Sequence, residues 1–593
     1  MKTLSPLHNF HIPVMGIGFT IDTPIKVAPF GISSVVSLVD DILIEKMREF
    51  YSEKFDLPFQ AITNKIEDFR SKRITAYLDV LDKIVKEKHE KIIKMIEDNG
   101  NALDKYISML PDISSIKKTF LEKIKQNKNV QEVQQWLQKN LNAGSIDVNI
   151  MTKLDKDNFA GGEKLAIEYN DAHAALRGFA NSSVASSLVL SAGMNPKLYS
   201  YIENFEGFYP DETGYIKKKI TLKTSDYRSA LIQGKFLAKK GLWVSEFRIE
   251  SGLNCGGHAF ATDGYLMGPI LEELKQNRTS LQETLYELFS AALKDKQRHC
   301  PEAIPEMKIS AQGGVGTVDE HQLLLEHYQL DSIGWGSPFL LVPEATSVDA
   351  PTLQLLCDAK EDDLYLSGIS PLGVPFNTVK GNTKEIERQS NLSKNRPGSA
   401  CPKEYVAMNK EFEGDALCIA SRKYQHLKIQ ELNNKHLPEQ QHKKAFDKIV
   451  EKSCICVGLG TSALLVNNLD TKTEGSAVSI CPGPNMAYFS QPVSLERMVD
   501  HIYGRDNIIT HNDRPHMFLK ELDLYMKHLE QLIQEYNNTP SAAGKKVLLA
   551  FDKNMHAGIS YYKELFTGRQ TILTALAQQE QKLHEFINSI IPD

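Results

Sequence analysis

Short apolar runs and longer helical segments alternate along the first 345 residues. Eight runs read as buried strands, near 12–18, 32–39, 145–151, 184–191, 219–224, 245–251, 307–312 and 331–335. Most are rich in Val, Ile or Leu and are followed by Gly, Asp or Ser, the pattern of strands covered on both faces. Segments of helical spacing separate most of them. Thr23-Pro24 opens a short helix, because proline fits the first helical position. Residues 230–241 read as a small-residue crossover helix, 264–274 and 280–294 as two more, and 319–328 as another. Eight strands alternating with helices predict an α/β chain folded as a (β/α)8 TIM barrel.

Two regions break the alternation. Over 42–142, Ile84, Ile92 and Ile93 recur at helical spacing among Lys and Glu, which predicts a helical insertion in the barrel. Its mixed-sign charges read as a solvated face rather than an RNA-binding surface. Beyond 345 the barrel pattern stops. Residues 346–510 predict a cysteine-containing α+β region, with a β-rich crossover over 362–379 and a polar loop over 385–399. Residues 511–593 predict three amphipathic helices, which either pack on the barrel or form a homodimer surface. The expected division is therefore 1–345, 346–510 and 511–593.

Composition narrows the class. A chain of 593 residues exceeds what one core supports. Hydrophobic content of 41% and charged content of 24% are those of a globular protein in water. A net charge of −6 gives no pull towards nucleic acid or an anionic membrane. No run of about 18 apolar residues stands out. The first residues lack the basic start and apolar core of a secretory signal. Eight cysteines in so long a chain do not make a secreted disulfide scaffold. The expected setting is a reducing cytoplasm, with a small-molecule substrate and neither a nucleic-acid nor a membrane partner.

In a TIM barrel the chemistry sits at the carboxyl ends of the strands. Gly256-Gly257-His258 follows the sixth run, Gly313-Gly314 the seventh and Gly336-Ser337 the eighth, while Lys223 stands near the tip of the fifth. Glycines let several backbone N–H groups converge on one phosphate. His258 is the candidate acid/base, since imidazole titrates near neutral pH. Cys255 reads as a small packed residue, with a reactive thiol as the alternative.

At these residues the chain resembles the nitronate monooxygenase family of flavin-binding barrels and its enoyl-reductase relatives. The likeness rests on Gly256-Gly257-His258, on Ala311-Gln312-Gly313-Gly314-Val315 and on Gly336-Ser337-Pro338-Phe339-Leu340. Pro13-Val14-Met15-Gly16 and Val148-Asn149 also fit. The resemblance implies FMN, with its phosphate on Gly313, Gly314, Gly336 and Ser337 and with Gly16, Asn149, Gly256 and Gly257 near the cofactor. It implies Lys223 beside the flavin ring and His258 as the residue that exchanges a proton with substrate. Asn254-Cys255 stands where the family has Glu-Ala, Ser337 where threonine is usual, and the helical insertion is foreign to the family.

Five of the eight cysteines fall between 401 and 481. Thiolates at bends ligate iron–sulfur clusters and structural zinc. Cys401, Cys418, Cys454, Cys456 and Cys481 are therefore candidate ligands, above all of an iron–sulfur centre. Their spacing follows no ferredoxin or zinc-finger pattern, and buried free thiols are the competing reading. The leading expectation is an FMN-dependent oxidoreductase of the nitronate monooxygenase-like type, supplied with electrons by NAD(P)H or a donor protein. A phosphate-binding isomerase or lyase on the same barrel, and a non-enzymatic scaffold, are the alternatives.

Overall fold

Pro13 ends the first strand. It has no N–H to give to a ladder, so the strand β1 covers Phe10–Ile12 only. The apolar residues after it, expected to continue the strand, instead turn across the barrel mouth. Gly16 adopts φ +53 there, and the Gly18 N–H reaches the Leu459 carbonyl at 2.8 Å. This computed structural model describes residues 7–94, 101–125, 130–191, 193–511 and 513–588. The end of the last helical segment, 589–593, lies outside them.

The remaining barrel strands are β2 (Ser33–Ser37), β3 (Ile146–Met151), β4 (Ser187–Ser191), β5 (Lys219–Thr224), β6 (Val244–Glu250), β7 (Lys308–Gln312) and β8 (Ser332–Gly334). They pair in sequence order, all parallel, and β8 closes on β1 through Phe10–Ile333 and His11–Gly334. This is the (β/α)8 TIM barrel. Strand β6 shows how the sequence builds it. Phe247 and Ile249 are buried on the outer side, where Phe247 lies against the helix Tyr227–Ala238. Alternate residues therefore point inward. Arg248 pairs with Glu246 at 2.7 Å inside the barrel.

Residues 41–94 belong to the barrel rather than to an insertion. The helix Phe69–Lys94 buries Ile74, Tyr77, Leu81 and Ile84 in the main core. Only its last residues join the helices Asn101–Met109, Ser115–Lys125 and Val130–Asn140, which have a separate core around Tyr106 and Leu137. The two helices expected over 264–294 form one helix, Met267–Asp295. The polar stretch between them contains no Gly or Pro to stop it.

The carboxyl-terminal region folds back over the mouth of the barrel. Its only named strands among the described residues are β9 (Leu364–Ser367) and β10 (Phe376–Val379), an antiparallel hairpin. The polar loop expected over 385–399 is mainly the helix Thr383–Ser393, started by the Asn382 side chain accepting the Glu385 N–H. The stretch Glu439–Val466 meets the length and composition of a membrane span, yet its most apolar window is 72% buried inside the protein. It is two helices, Glu439–Glu451 and Ile455–Val466. The last three helices, Met517–Asn538, Ala542–Leu565 and Gln570–Asn588, pack on the barrel. There Glu521 accepts from Ser251 Oγ at 2.6 Å and from the Met267 N–H at 2.9 Å. The barrel, the region over its mouth and these helices share one continuous hydrophobic core.

Candidate functional site

Past Glu250 the chain leaves β6, turns at Gly252 and runs to His258. Two adjoining cavities open at this end of the barrel. The larger holds about 390 Å³ and is walled by Asn149, Lys223 and His258 among others. That lies in the range of about 300–1,000 Å³ for small-molecule sites. The smaller, about 100 Å³, is walled by Gly313, Gly314, Gly336 and Ser337. Gly16, Gly256 and Gly257 line both. All the barrel residues singled out in the sequence therefore border one connected space, although they come from six separate strand ends.

The smaller cavity is a corner of bare amides. Among the described residues, no backbone hydrogen bond takes up the N–H of Gly313, Gly314, Gly336 or Ser337. An N–H shielded from water needs a partner, and converging amides suit an anion. Neighbouring side chains also dictate the glycines here. Gly314 has φ +82, and a Cβ on it would stand 2.0 Å from Asn254 Nδ2. Asn254-Cys255, the departure from the family pattern, therefore packs against this loop. Burial, followed by the Glu250 charge, pushes the Cys255 thiol far up, and its Sγ lies 3.4 Å from the Gln312 carbonyl.

The larger cavity carries the polar chemistry. Asn149 is buried, and its Oδ1 has no hydrogen-bond partner. Lys223 Nζ meets Glu250 Oε2 at 2.5 Å, and Glu250 Oε1 also accepts from Gln312 Nε2 at 2.5 Å. His258 Nε2 lies 2.7 Å from Ser370 Oγ, and its ring sits edge-on to Phe376. Burial, reinforced by the Lys153 charge, lowers the His258 pKa from 6.5 to about 4. The imidazole is thus neutral at pH 7, less basic than the sequence alone suggests.

Glu250 and Ser370 were not foreseen. Glu250 had a signal, because Glu246, Arg248 and Glu250 alternate with the apolar residues of β6. Ser370 had none, since it reaches the site from the segment between β9 and β10. That segment is bonded to the loop after β6, where the Ala259 N–H meets the Pro375 carbonyl at 2.9 Å, and other carboxyl-terminal residues bond to the barrel loops beside it. The Asn377 N–H meets the Gly257 carbonyl at 2.9 Å, and the Gly257 N–H meets the Cys481 carbonyl at 3.1 Å. The Gly483 N–H donates to Ser337 Oγ at 2.8 Å.

The five candidate ligand cysteines divide. Cys481 lines both cavities. Cys401, Cys418 and Cys454 line neither cavity, and Cys456 lines the larger one. Cys454 is the residue that precedes the helix Ile455–Val466, and Cys456 lies in its first turn. Among the described residues, no three His, Cys, Asp or Glu side chains form a group able to hold a metal ion. The expected metal centre is therefore not built, since no three of the candidate cysteines belong to such a group.

No family model matches the chain, and no curated protein does. Among the solved structures similar at low scores are the following two. FabK from Thermotoga maritima is 11% identical, with 63% of this chain and 80% of that chain covered and a TM-score of 0.31. The enoyl reductase domain of MlnA, from the macrolactin biosynthesis cluster of Bacillus amyloliquefaciens, is 14% identical. The match covers 68% of this chain and 89% of that one, at a TM-score of 0.32. At these scores the likeness carries no argument, and the barrel rests on its own strand pairing.

Proposed function

We propose that the chain is an FMN-dependent oxidoreductase acting on a small organic substrate. The observation that carries this reading is the corner of four unclaimed amides opening into a larger cavity with its own unpartnered acceptor. A phosphate monoester suits the corner, with the N–H groups of Gly313, Gly314, Gly336 and Ser337 as donors. A ring with an N–H edge suits Asn149 Oδ1 in the larger space. Lys223 places a positive charge in the same wall, moderated by Glu250.

When bound, FMN supplies the electron chemistry, accepting or giving two electrons. The protein's own residues do the rest. The carboxyl-terminal segments over the mouth exclude water. His258, neutral and held by Ser370, exchanges a proton with the substrate from Nδ1 or, once released by Ser370, from Nε2. NAD(P)H or a donor protein supplies reducing equivalents in this reading.

The phosphate-binding isomerase or lyase would use the same amide corner and His258, and FMN content separates the two readings. The test is the visible spectrum of purified protein. Two bands of oxidised flavin, with FMN released on denaturation, support the proposal. A colourless protein that takes up no FMN on reconstitution overturns it.

A further inference from the structure

We propose that the substrate carries a carboxylate and that Lys153 is the residue that holds it, beside His258. The inference rests on the proposed function in one respect, that the larger cavity is the substrate site. Lys153 follows β3 and lines that cavity together with His258 and Phe260. Its Nζ lies 5.0 Å from the centre of the Phe260 ring. Its stem passes Gly193, beyond the end of β4, where a Cβ would stand 3.8 Å from Lys153 Cε. The side chain therefore reaches from the end of β3, past β4, to the loop after β6. Its charge is felt at the imidazole.

The charges of the cavity wall do not balance. Its Lys, Glu and His side chains are Lys153, Lys223, Glu250 and His258, and no Arg or Asp lines it. Lys223 and Glu250 pair at 2.5 Å, and His258 is neutral at pH 7. Lys153 makes no ion pair and no hydrogen bond among the described residues. The nearest carboxylates in sequence are engaged elsewhere. Asp155 Oδ2 meets His173 Nδ1 at 2.8 Å, and Asp157 Oδ2 meets Lys164 Nζ at 2.7 Å. One uncompensated positive charge is left in the wall. Water alone satisfies an exposed ammonium. It does not account for one held over an aromatic ring, where a cation has electrostatic attraction but no counter-ion.

The phosphate corner does not claim this charge. The strand order sets the end of β3 opposite that of β7 across the ring, and Gly313-Gly314 follows β7. The substrate is what remains to claim it. A second free group stands in the same wall. Thr224 is buried, and its Oγ1 has no hydrogen-bond partner. A buried hydroxyl needs a partner, and a carboxylate accepts several hydrogen bonds at once. An ammonium and a hydroxyl, with neither arginine nor converging amides, suit a carboxylate rather than a second phosphate. Phe260 and Phe376 give the body of the acid an apolar surface beside His258.

The experiment is saturation-transfer NMR on the full-length protein as purified, with benzoate and its neutral isostere benzamide as probes. The wild type should bind benzoate about tenfold more tightly, as a hydrogen bond to a charged group supplies. Lys153→Met should remove the preference, and Lys153→Arg should keep most of it. Lys153 is exposed, so neither change disturbs the core. Lys197→Met alters a neighbouring cation that does not line the larger cavity, and should leave the preference intact. Equal affinities in the wild type, no benzoate binding at millimolar concentration, or a preference that survives Lys153→Met overturns the proposal. The readout needs no flavin. A colourless protein with a Lys153-dependent preference supports the carboxylate site while the flavin reading falls. A yellow protein without the preference overturns the carboxylate site alone.

Discussion

His258 Nε2 and Ser370 Oγ stand 2.7 Å apart across 112 residues of sequence. The contact fixes the imidazole at the edge of the larger cavity and spends one ring nitrogen on a hydroxyl. The ring is neutral above about pH 4, so protonation of His258 should not limit activity near neutrality. Under the oxidoreductase reading, the acid limb of kcat/KM falls near pH 4 rather than 6.5. His258→Ala should lower kcat/KM by about 10²–10⁴-fold while FMN stays bound. Steady-state kinetics across pH checks both, and an inflection at 6.5 that disappears in His258→Ala would contradict the assignment.

Lys223 and Glu250 form a second pair in that cavity, joining the tips of β5 and β6 at 2.5 Å. The carboxylate partly cancels the charge that would favour a reduced, anionic flavin. Glu250→Gln removes the cancellation and should raise the flavin reduction potential. Lys223→Met removes the cation and should lower it. Opposite shifts in a redox titration are the expected result. Equal potentials in both variants would place the pair away from the cofactor.

Lys403 joins the carboxyl-terminal region to the barrel. Its Nζ lies 2.6 Å from Asp40 Oδ2 and 3.3 Å from Glu474 Oε1, with the three side chains 2%, 1% and 1% exposed. Tyr405 adds a hydrogen bond to Asp40 Oδ1 at 2.8 Å. Removing one partner of a buried pair leaves an uncompensated charge, at a cost of about 3–5 kcal/mol. Lys403→Met should lose roughly that much stability in urea unfolding. A variant with an unchanged midpoint would show the network to be dispensable.

Much of this architecture was legible because barrel strands carry local signals. Apolar runs, most of them followed by Gly, Asp or Ser, placed all eight strands, and Gly256-Gly257, Gly313-Gly314 and Gly336-Ser337 fell at the right ends of three of them. Strand β1 slipped because apolar residues after Pro13 looked like a continuing strand, when their partner is the helix Ile455–Val466. Ser370 and Lys403 carried no signal, since their roles exist only once chain segments far apart in sequence meet. The cysteines were visible as a cluster in sequence, but the fold puts no three of them in a group able to hold a metal ion among the described residues. The polarity of the barrel interior was hidden as well. Glu246 and Arg248 look like exposed charges until alternation turns them inward.

That buried polarity makes the protein sensitive to acid. Burial lowers His8 to about 4, His11 to about 3 and His321 to about 4, alongside His258 at about 4. Arg248 adds to the effect on His11. Between these values and 6.5, the unfolded chain binds more protons than the folded one, so stability falls as the pH drops through that window. Each unit of depression is worth about 1.4 kcal/mol. Glu521 acts the other way. Burial raises it to about 7, so the folded form holds its proton above the unfolded pKa and gains stability on acidification from 7 towards 4.5. One carboxyl does not offset four histidines. Thermal unfolding at pH 4.5 should begin at a Tm at least about 5 °C below that at pH 7. His321→Asn removes one titrating group and should shrink the gap, even if it lowers the Tm at pH 7. A Tm that is flat or rising towards pH 4.5 would mean that these imidazoles are not held neutral in the fold.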